Sequence, residues 1–191
     1  MEGDEKDDLV ELDNHALQLA SRGFVVILPF YLDAQREQTE PSKARAAHRT
    51  WRRVALDAAD AVAAEVGIAT GNVILWGHGR GGGIALAAAL QPESPVGGAV
   101  AVNIGGSPQD DAQGAGRPFL LFHSARSRLI PALGVRTMAD RIQQREGRVR
   151  RIEIDAEADR LTVSHWCAVM DGTRSVLDQT QAARSVAVAG N

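Results

Sequence analysis

The sequence predicts an α/β domain, a mainly parallel sheet of about five strands with helices on both faces. Three observations predict it. Short β-branched or apolar runs alternate with longer segments of helical periodicity from Leu9 to Ala183. Glycine or proline punctuates most of the junctions. The 191 residues are 45% apolar and 24% charged, which is enough for one core and ordinary for a globular chain. Alternation favours parallel pairing because each crossover helix returns the chain to begin the next strand in the same direction.

The elements follow in order. Residues 1–8, "MEGDEKDD", are acidic and read as a flexible lead-in; they lack the basic and apolar pattern of a signal peptide. Leu9, Leu12, Ala16 and Leu19 recur at helical spacing, and Gly23 stops that helix. "FVVILPF", Phe24 to Phe30, reads as a buried strand. A polar loop containing Tyr31 and Pro41 leads to a long helix striped by Trp51, Val54, Ala58, Ala61, Val62 and Glu65 and ended by Gly67. "NVILW" is the next strand and "GGIALAAAL" the helix after it. "VGGAVAVNI", "PFLLFHS" and "RVRRIEID" are three more strands. Val135, Met138, Ala139 and Ile142 mark a helix before Gly147. Trp166, Val169, Met170, Thr173, Val176, Leu177 and Ala183 line a final helix. The whole chain, residues 1–191, is expected to form one domain. Ligands in such sheets bind at the carboxyl ends of the strands, here after Phe30, Trp76, Ile104, His123 and Asp155.

Composition excludes several classes. A net charge of −3 makes no electrostatic case for nucleic acid or an anionic membrane surface. No apolar run approaches the ~18 residues of a membrane span. The lone cysteine, Cys167, excludes an internal disulfide; it is expected as a small buried or half-buried residue, and a reducing cytoplasm fits. No histidines or acids stand at metal-ligand spacing, so no metal is expected, and no cofactor.

"WGHGRGGG", Trp76 to Gly83, carries two motifs at once. Gly77, Gly79 and Gly82 spell G-x-G-x-x-G, a dinucleotide-binding loop. That loop wants an acid about 20 residues on, at the end of the next strand, to hold a ribose hydroxyl. Asn103 stands there instead, and Glu93 comes too early. Gly77 to Gly81 also matches G-x-S-x-G, the nucleophile elbow, with glycine in the place of serine.

The order of segments resembles the α/β-hydrolase superfamily, especially its dienelactone-hydrolase-like and small carboxylesterase branches. "LASRGFVVILPFYLD", "GIATGNVILWGHGRGGGIALAAAL", "RPFLLFHSARSRLIP" and "RVRRIEIDAEADRLT" are similar to successive segments of that family. The resemblance implies a truncated α/β-hydrolase fold. It places the nucleophile at Gly79, the acid at Ser127 and the histidine at Arg160. None of these can play its part: glycine has no side chain, serine carries no charge, and arginine holds its proton up to a pKa above ~12. Half an oxyanion hole is expected from the Arg80 N–H. The other half would come from a loop that this chain begins too late to include, along with the strand between "FVVILPF" and "NVILW". Either those strands pair directly, or another chain fills the gap and makes a homo-oligomer, or the true start lies upstream of Met1.

Neighbouring residues offer substitutes. His165 is a candidate base, with a surface helix start as its plainer role. His78 and His123 read as structural, Asp110 and Asp111 as a solvated pair, and His15 and His48 as exposed on helices. The expected function is that of a non-hydrolytic small-ligand-binding or scaffold pseudoenzyme. Tyr31, His78, Gly79 and Arg80 would line a pocket for a carboxylate or acyl compound. The alternatives are non-triad chemistry on the same fold (lyase, isomerase or cyclase), residual esterase activity on small esters or lactones, and nucleotide binding.

Overall fold

The computed structural model describes residues 13–29, 41–104, 114, 116–127, 131–155 and 165–189. The chain divides into two units, Met1–Phe30 and Tyr31–Asn191. In the first, residues 13–20 form helix α1. Gly23 ends it as expected, at φ +86°, a left-handed conformation that costs glycine least. Leu19 is buried, and so is His15 at 4% exposure, against the expectation of a solvent-facing histidine. The two residues are four apart and share one face of α1, so burial of that face takes the histidine with it.

Residues 24–29 are not a strand. Val25, Ile27 and Leu28 are exposed at 65%, 45% and 44%. The β-branched run has the composition of a strand but joins no ladder among the described residues. Composition reports fit to a pleated, half-buried surface, and only a neighbouring strand supplies that surface.

The second unit carries the sheet. Helix α2 (Pro41–Val66) is followed by a short 3-10 turn (Thr70–Asn72), strand β1 (Ile74–His78) and helix α3 (Gly79–Ala89). Then come β2 (Gly98–Val102), β3 (Pro118–Ser124), helix α4 (Ala132–Gln144), β4 (Arg148–Ile154) and helix α5 (Trp166–Ala189). The four strands lie in the order β1-β2-β3-β4, all parallel. β1 begins two residues later than the apolar run suggests, and it continues through Gly77 and His78. Every residue of β2 and β3 is buried, as continuous apolar runs require when helices cover both faces.

Side chains alternate between those faces. On one, Ala99, Ala101, Phe119 and Leu121 pack with Leu86 and Ala89 of α3, Val135, Met138 and Ile142 of α4, and Ala59 of α2. The other belongs to α5. A Cβ placed on its Gly172 would lie 2.6 Å from Leu120 Cδ2, 2.9 Å from Phe122 Cζ and 3.3 Å from Ile152 Cδ1. The buried stripe of α4 is the one its spacing predicts.

That of α2 is rotated. Ala47, Trp51, Ala59 and Ala63 are buried, whereas Ala61 and Glu65 of the expected stripe are exposed. The packing face runs through small residues four apart, and Trp51 meets Ile84 of α3 there. Gly147 is needed for close approach rather than for its φ. The left-handed residue after α4 is Glu146 at φ +64°, and a Cβ on Gly147 would fall 2.4 Å or so from Ile142 Cγ2. Cys167 is exposed, against expectation, because it lies on the outer side of α5 from Val169 and Met170.

The carboxyl end of α3 depends on one side chain. Arg117, just before β3, donates to Ala89 O at 2.9 Å, Gln91 O at 3.3 Å and Ser94 O at 2.7 Å. A cation there satisfies carbonyls the helix leaves open and suits the negative end of its dipole. Burial lowers the guanidinium pKa, but from a value so high that no titration near neutrality follows. Arg117→Ala is expected to cost about 2–3 kcal/mol in urea unfolding, since it strands partly buried acceptors. Arg117→Lys should recover only part of that, having no fork to span three carbonyls. A loss under about 0.5 kcal/mol in Arg117→Ala would contradict the assignment.

Candidate functional site

The site begins where β1 ends. His78 closes the strand in extended backbone, φ −111° and ψ 145°. Gly79 then turns the chain at φ +52° and opens α3. Strand, one left-handed residue, helix is the geometry of an elbow. Two other glycines let it close. A Cβ on Gly77 would fall on the backbone of Gly81 and within 2.5 Å of Gly82 N. One on Gly82 would meet Ile104 Cγ2 at 2.6 Å and Gly77 O at 2.8 Å. Gly79 differs from both. No described residue lies within 4 Å of the Cβ it lacks, so among the described residues the elbow's apex opens onto free space.

α3 starts with four glycines in its first five residues, poor helix formers at about 1 kcal/mol each against alanine. Burial of Ile84, Ala85, Leu86, Ala88 and Ala89 offsets that cost. The first turn carries no acidic residue, and His78 as N-cap makes no side-chain capping bond. Arg80 is exposed and His78 and Gly79 are half-buried.

Parallel pairing brings the other strand ends to the same edge. His78 is level with Val102, Val102 with Phe122, and Phe122 with Ile152. Asn103 follows β2 at φ +47° and is 1% exposed. Its Oδ1 accepts from Ser124 N at 2.9 Å, and its own N–H donates to Phe122 O at 2.9 Å. Asparagine tolerates this left-handed conformation better than most residues, which is the one signal in the sequence that marks the position. Its side chain is committed to the end of β3.

After β3, Ser127 N donates to Ser124 O at 3.1 Å, and Ala125 N to Ile154 O at 2.8 Å. Ser127 is half-buried in that turn. Beside it Arg126 Nε meets Asp155 Oδ1 at 3.0 Å, an exposed ion pair across the ends of β3 and β4 that spacing alone does not reveal. His123 is buried, matching its structural reading. His48 is exposed as expected and stacks edge-on with Trp51, centroids 5.1 Å apart.

His165 is half-buried and immediately precedes α5. That helix runs antiparallel to the strands. Its Gly172 lies against the middle of β3, while Thr180 reaches Gly97 before β2, with Oγ1 3.5 Å from Gly97 O. His165 therefore stands toward the carboxyl edge, the edge of Gly79 and Ser127. Tyr31, Asp110, Asp111 and Arg160 lie outside the described residues. Among the described residues no cluster of histidine, cysteine and carboxylate groups could hold a metal ion. No described helix is long and apolar enough to cross a membrane.

The backbone matches solved structures over most of its length. The carboxylesterase of Bacillus cereus superposes with a TM-score of 0.59 at 14% identity, over 71% of this chain and 63% of that one. A variant of SOBER1 from Arabidopsis thaliana gives 0.57 at 14% identity, over 71% and 66%. The structure described as YahD with malic acid gives 0.59 at 12% identity, over 69% and 65%. The fold is that of the α/β-hydrolases. The chain spans a little under two thirds of the length of these α/β-hydrolase-fold structures. No family profile matches it, and no curated protein does.

The elbow glycines are expected to separate by what they touch. Gly77→Ala should cost about 3 kcal/mol, because backbone must move to admit the methyl group. Gly79→Ser should cost only about 1–2 kcal/mol, the strain of a left-handed residue in open space. Denaturant melts of both variants check this. Equal losses would mean that β1 and α3 do not meet as described.

Proposed function

We propose that this protein is a non-hydrolytic, small-ligand-binding relative of the esterases whose fold it has. One observation carries the reading. The elbow is built, with its crossing glycines and its left-handed apex, and the apex residue is Gly79, which has no side chain to attack an ester. Triad catalysis needs a nucleophile, a base in reach of it and an acid that orients the base. Ser127, assigned to the acid position, cannot hold an imidazolium by charge, and Arg160, assigned to the base position, cannot accept a proton near neutrality. Removing one triad member already removes most of what the three do together.

The ligand class we propose is a small carboxylate or acyl compound. Arg80 at the elbow, the uncapped first turn of α3 and the free space at Gly79 support it. YahD, one of the structural neighbours, is described with malic acid. The cytoplasmic setting we propose rests on the lone Cys167, which fits a reducing compartment.

A second reading, residual esterase activity, is favoured by the position of His165 at the carboxyl edge, where it could act on a bound water. An ester and lactone panel separates the two. Background rates with p-nitrophenyl acetate and no labelling by a fluorophosphonate probe are expected. Turnover that disappears in His165→Ala would replace the first reading with the second. Calorimetry with small carboxylates should show saturable binding that weakens in Arg80→Ala; heats that are flat, or unchanged in the variant, would sink the ligand class. In the variant combining Gly79→Ser, Ser127→Asp and Arg160→His, gained esterase activity would support the assignment of positions.

A further inference from the structure

The edge of the sheet farthest from the elbow strand is cationic. β4 reads Arg148-Val149-Arg150-Arg151-Ile152-Glu153-Ile154, and Arg148, Arg150, Arg151 and Glu153 are all exposed. The chain as a whole carries −3, so this concentration of arginine runs against its overall charge. Neither Arg150 nor Arg151 makes an ion pair among the described residues.

The backbone of β4 has a defined free side. Arg148 N donates to Arg117 O, and Ile154 O accepts from Ala125 N, so these two residues turn their polar groups toward β3. In a parallel ladder the inward and outward residues alternate. Val149, Arg151 and Glu153 therefore direct N–H and C=O away from β3, along an edge with no strand beyond it among the described residues. Side chains alternate with the same period. Arg148 and Arg150 stand on one face and Arg151 on the other. A depression of about 260 Å³ lies at the amino end of this edge, lined by Arg148, Arg150, Gln143, Ser175 and Gln179.

We propose that β4 is a docking edge for an extended acidic peptide segment, which adds to the sheet as a further strand. Its backbone would pair with Val149, Arg151 and Glu153, as strand addition pairs main chains at an exposed sheet edge. Carboxylates at successive positions of the segment would reach Arg150 on one face and Arg151 on the other, with Arg148, whose Nε donates to Gly116 O at 2.7 Å, beside Arg150. Charge complementarity favours the acidic partner. A peptide is favoured over nucleic acid because Glu146 and Glu153 flank the arginines and interrupt any broad positive field. Glu153 also sets direction: the acidic part of the segment belongs beside Arg148 to Arg151, and a neutral or basic residue belongs beside Glu153.

Fluorescence polarisation tests this with a labelled eight-residue peptide of seven glutamates ending in lysine, which when extended presents carboxylates to both faces. Saturable binding that weakens with added salt is expected. Arg150→Glu with Arg151→Glu should weaken it at least tenfold. Both side chains are exposed, so the fold should persist, and circular dichroism checks that it does. Arg53→Glu, on the exposed side of α2, should leave binding unchanged. A peptide N-methylated at alternate residues keeps its charge but cannot pair, and its binding should be lost. Four outcomes would overturn the proposal: no binding, in which case the arginines serve only to keep the edge from aggregating; equal binding of the N-methylated peptide; equal loss in Arg53→Glu; or tighter binding of a uridine oligonucleotide than of the peptide.

Discussion

Where β1 crosses α3 there is room for a hydrogen atom and nothing larger. Gly77 lies on the backbone of Gly81, and Gly82 is wedged between Gly77 O and the Ile104 side chain. Much else follows from that contact. The helix can leave the strand end at once because no side chain holds the two apart. Ile84 and Leu86 then reach α2 and the sheet, and Ala88 and Ala89 are fully buried. Arg117 holds the far end of the same helix from the start of β3. Helix α3 is thus fixed at both ends by parts of the sheet, in the one orientation that aims its amino terminus at the strand ends.

This contact also changes how the glycine motif is read. A dinucleotide loop and a nucleophile elbow both use glycines for close approach of strand and helix, so steric need at Gly77 and Gly82 favours neither. Two other features do. The described strands run β1 to β4 without a reversal of order, and dinucleotides bind where the order reverses. Asn103, at the place of the ribose-binding acid, spends its side chain on Ser124 N. Both weigh toward the elbow, as does the left-handed residue at its centre.

The sequence carried most of the sheet in plain view. "PFLLFHS" is β3 residue for residue, because a strand buried on both faces needs every side chain apolar or internally bonded. The stripe of α4 was equally legible, since one face meets the sheet and the other meets water. "FVVILPF" misled for the opposite reason. Its residues suit a strand, but strand formation is a property of pairs, and no composition reports a missing partner. The stripe on α2 misled because its alanines pack closely enough to be core, while alanine alone gives weak hydrophobic contrast. At the site, the positions of Gly79 and Ser127 at one edge follow from the order of parallel strands. Asn103, the Arg126–Asp155 pair and Arg117 were hidden because each joins residues far apart in sequence, and periodicity sees only near neighbours.

Of Gly77, Gly79 and Gly82, Gly79 is the one that packing among the described residues does not require. Steric need keeps Gly77 and Gly82 whatever the protein does, so their presence says nothing about catalysis. At Gly79 no described residue obstructs a side chain, and the charge against one is the strain of φ +52°, about 1–2 kcal/mol for a residue with a Cβ. A hydrolase accepts that strain because the exposed nucleophile depends on it. Where ester cleavage is not needed, glycine relieves the strain and costs the fold no contact. The apex therefore separates the two pressures that shape an elbow. Two of its glycines preserve the architecture, and the third leaves its apex without a side chain.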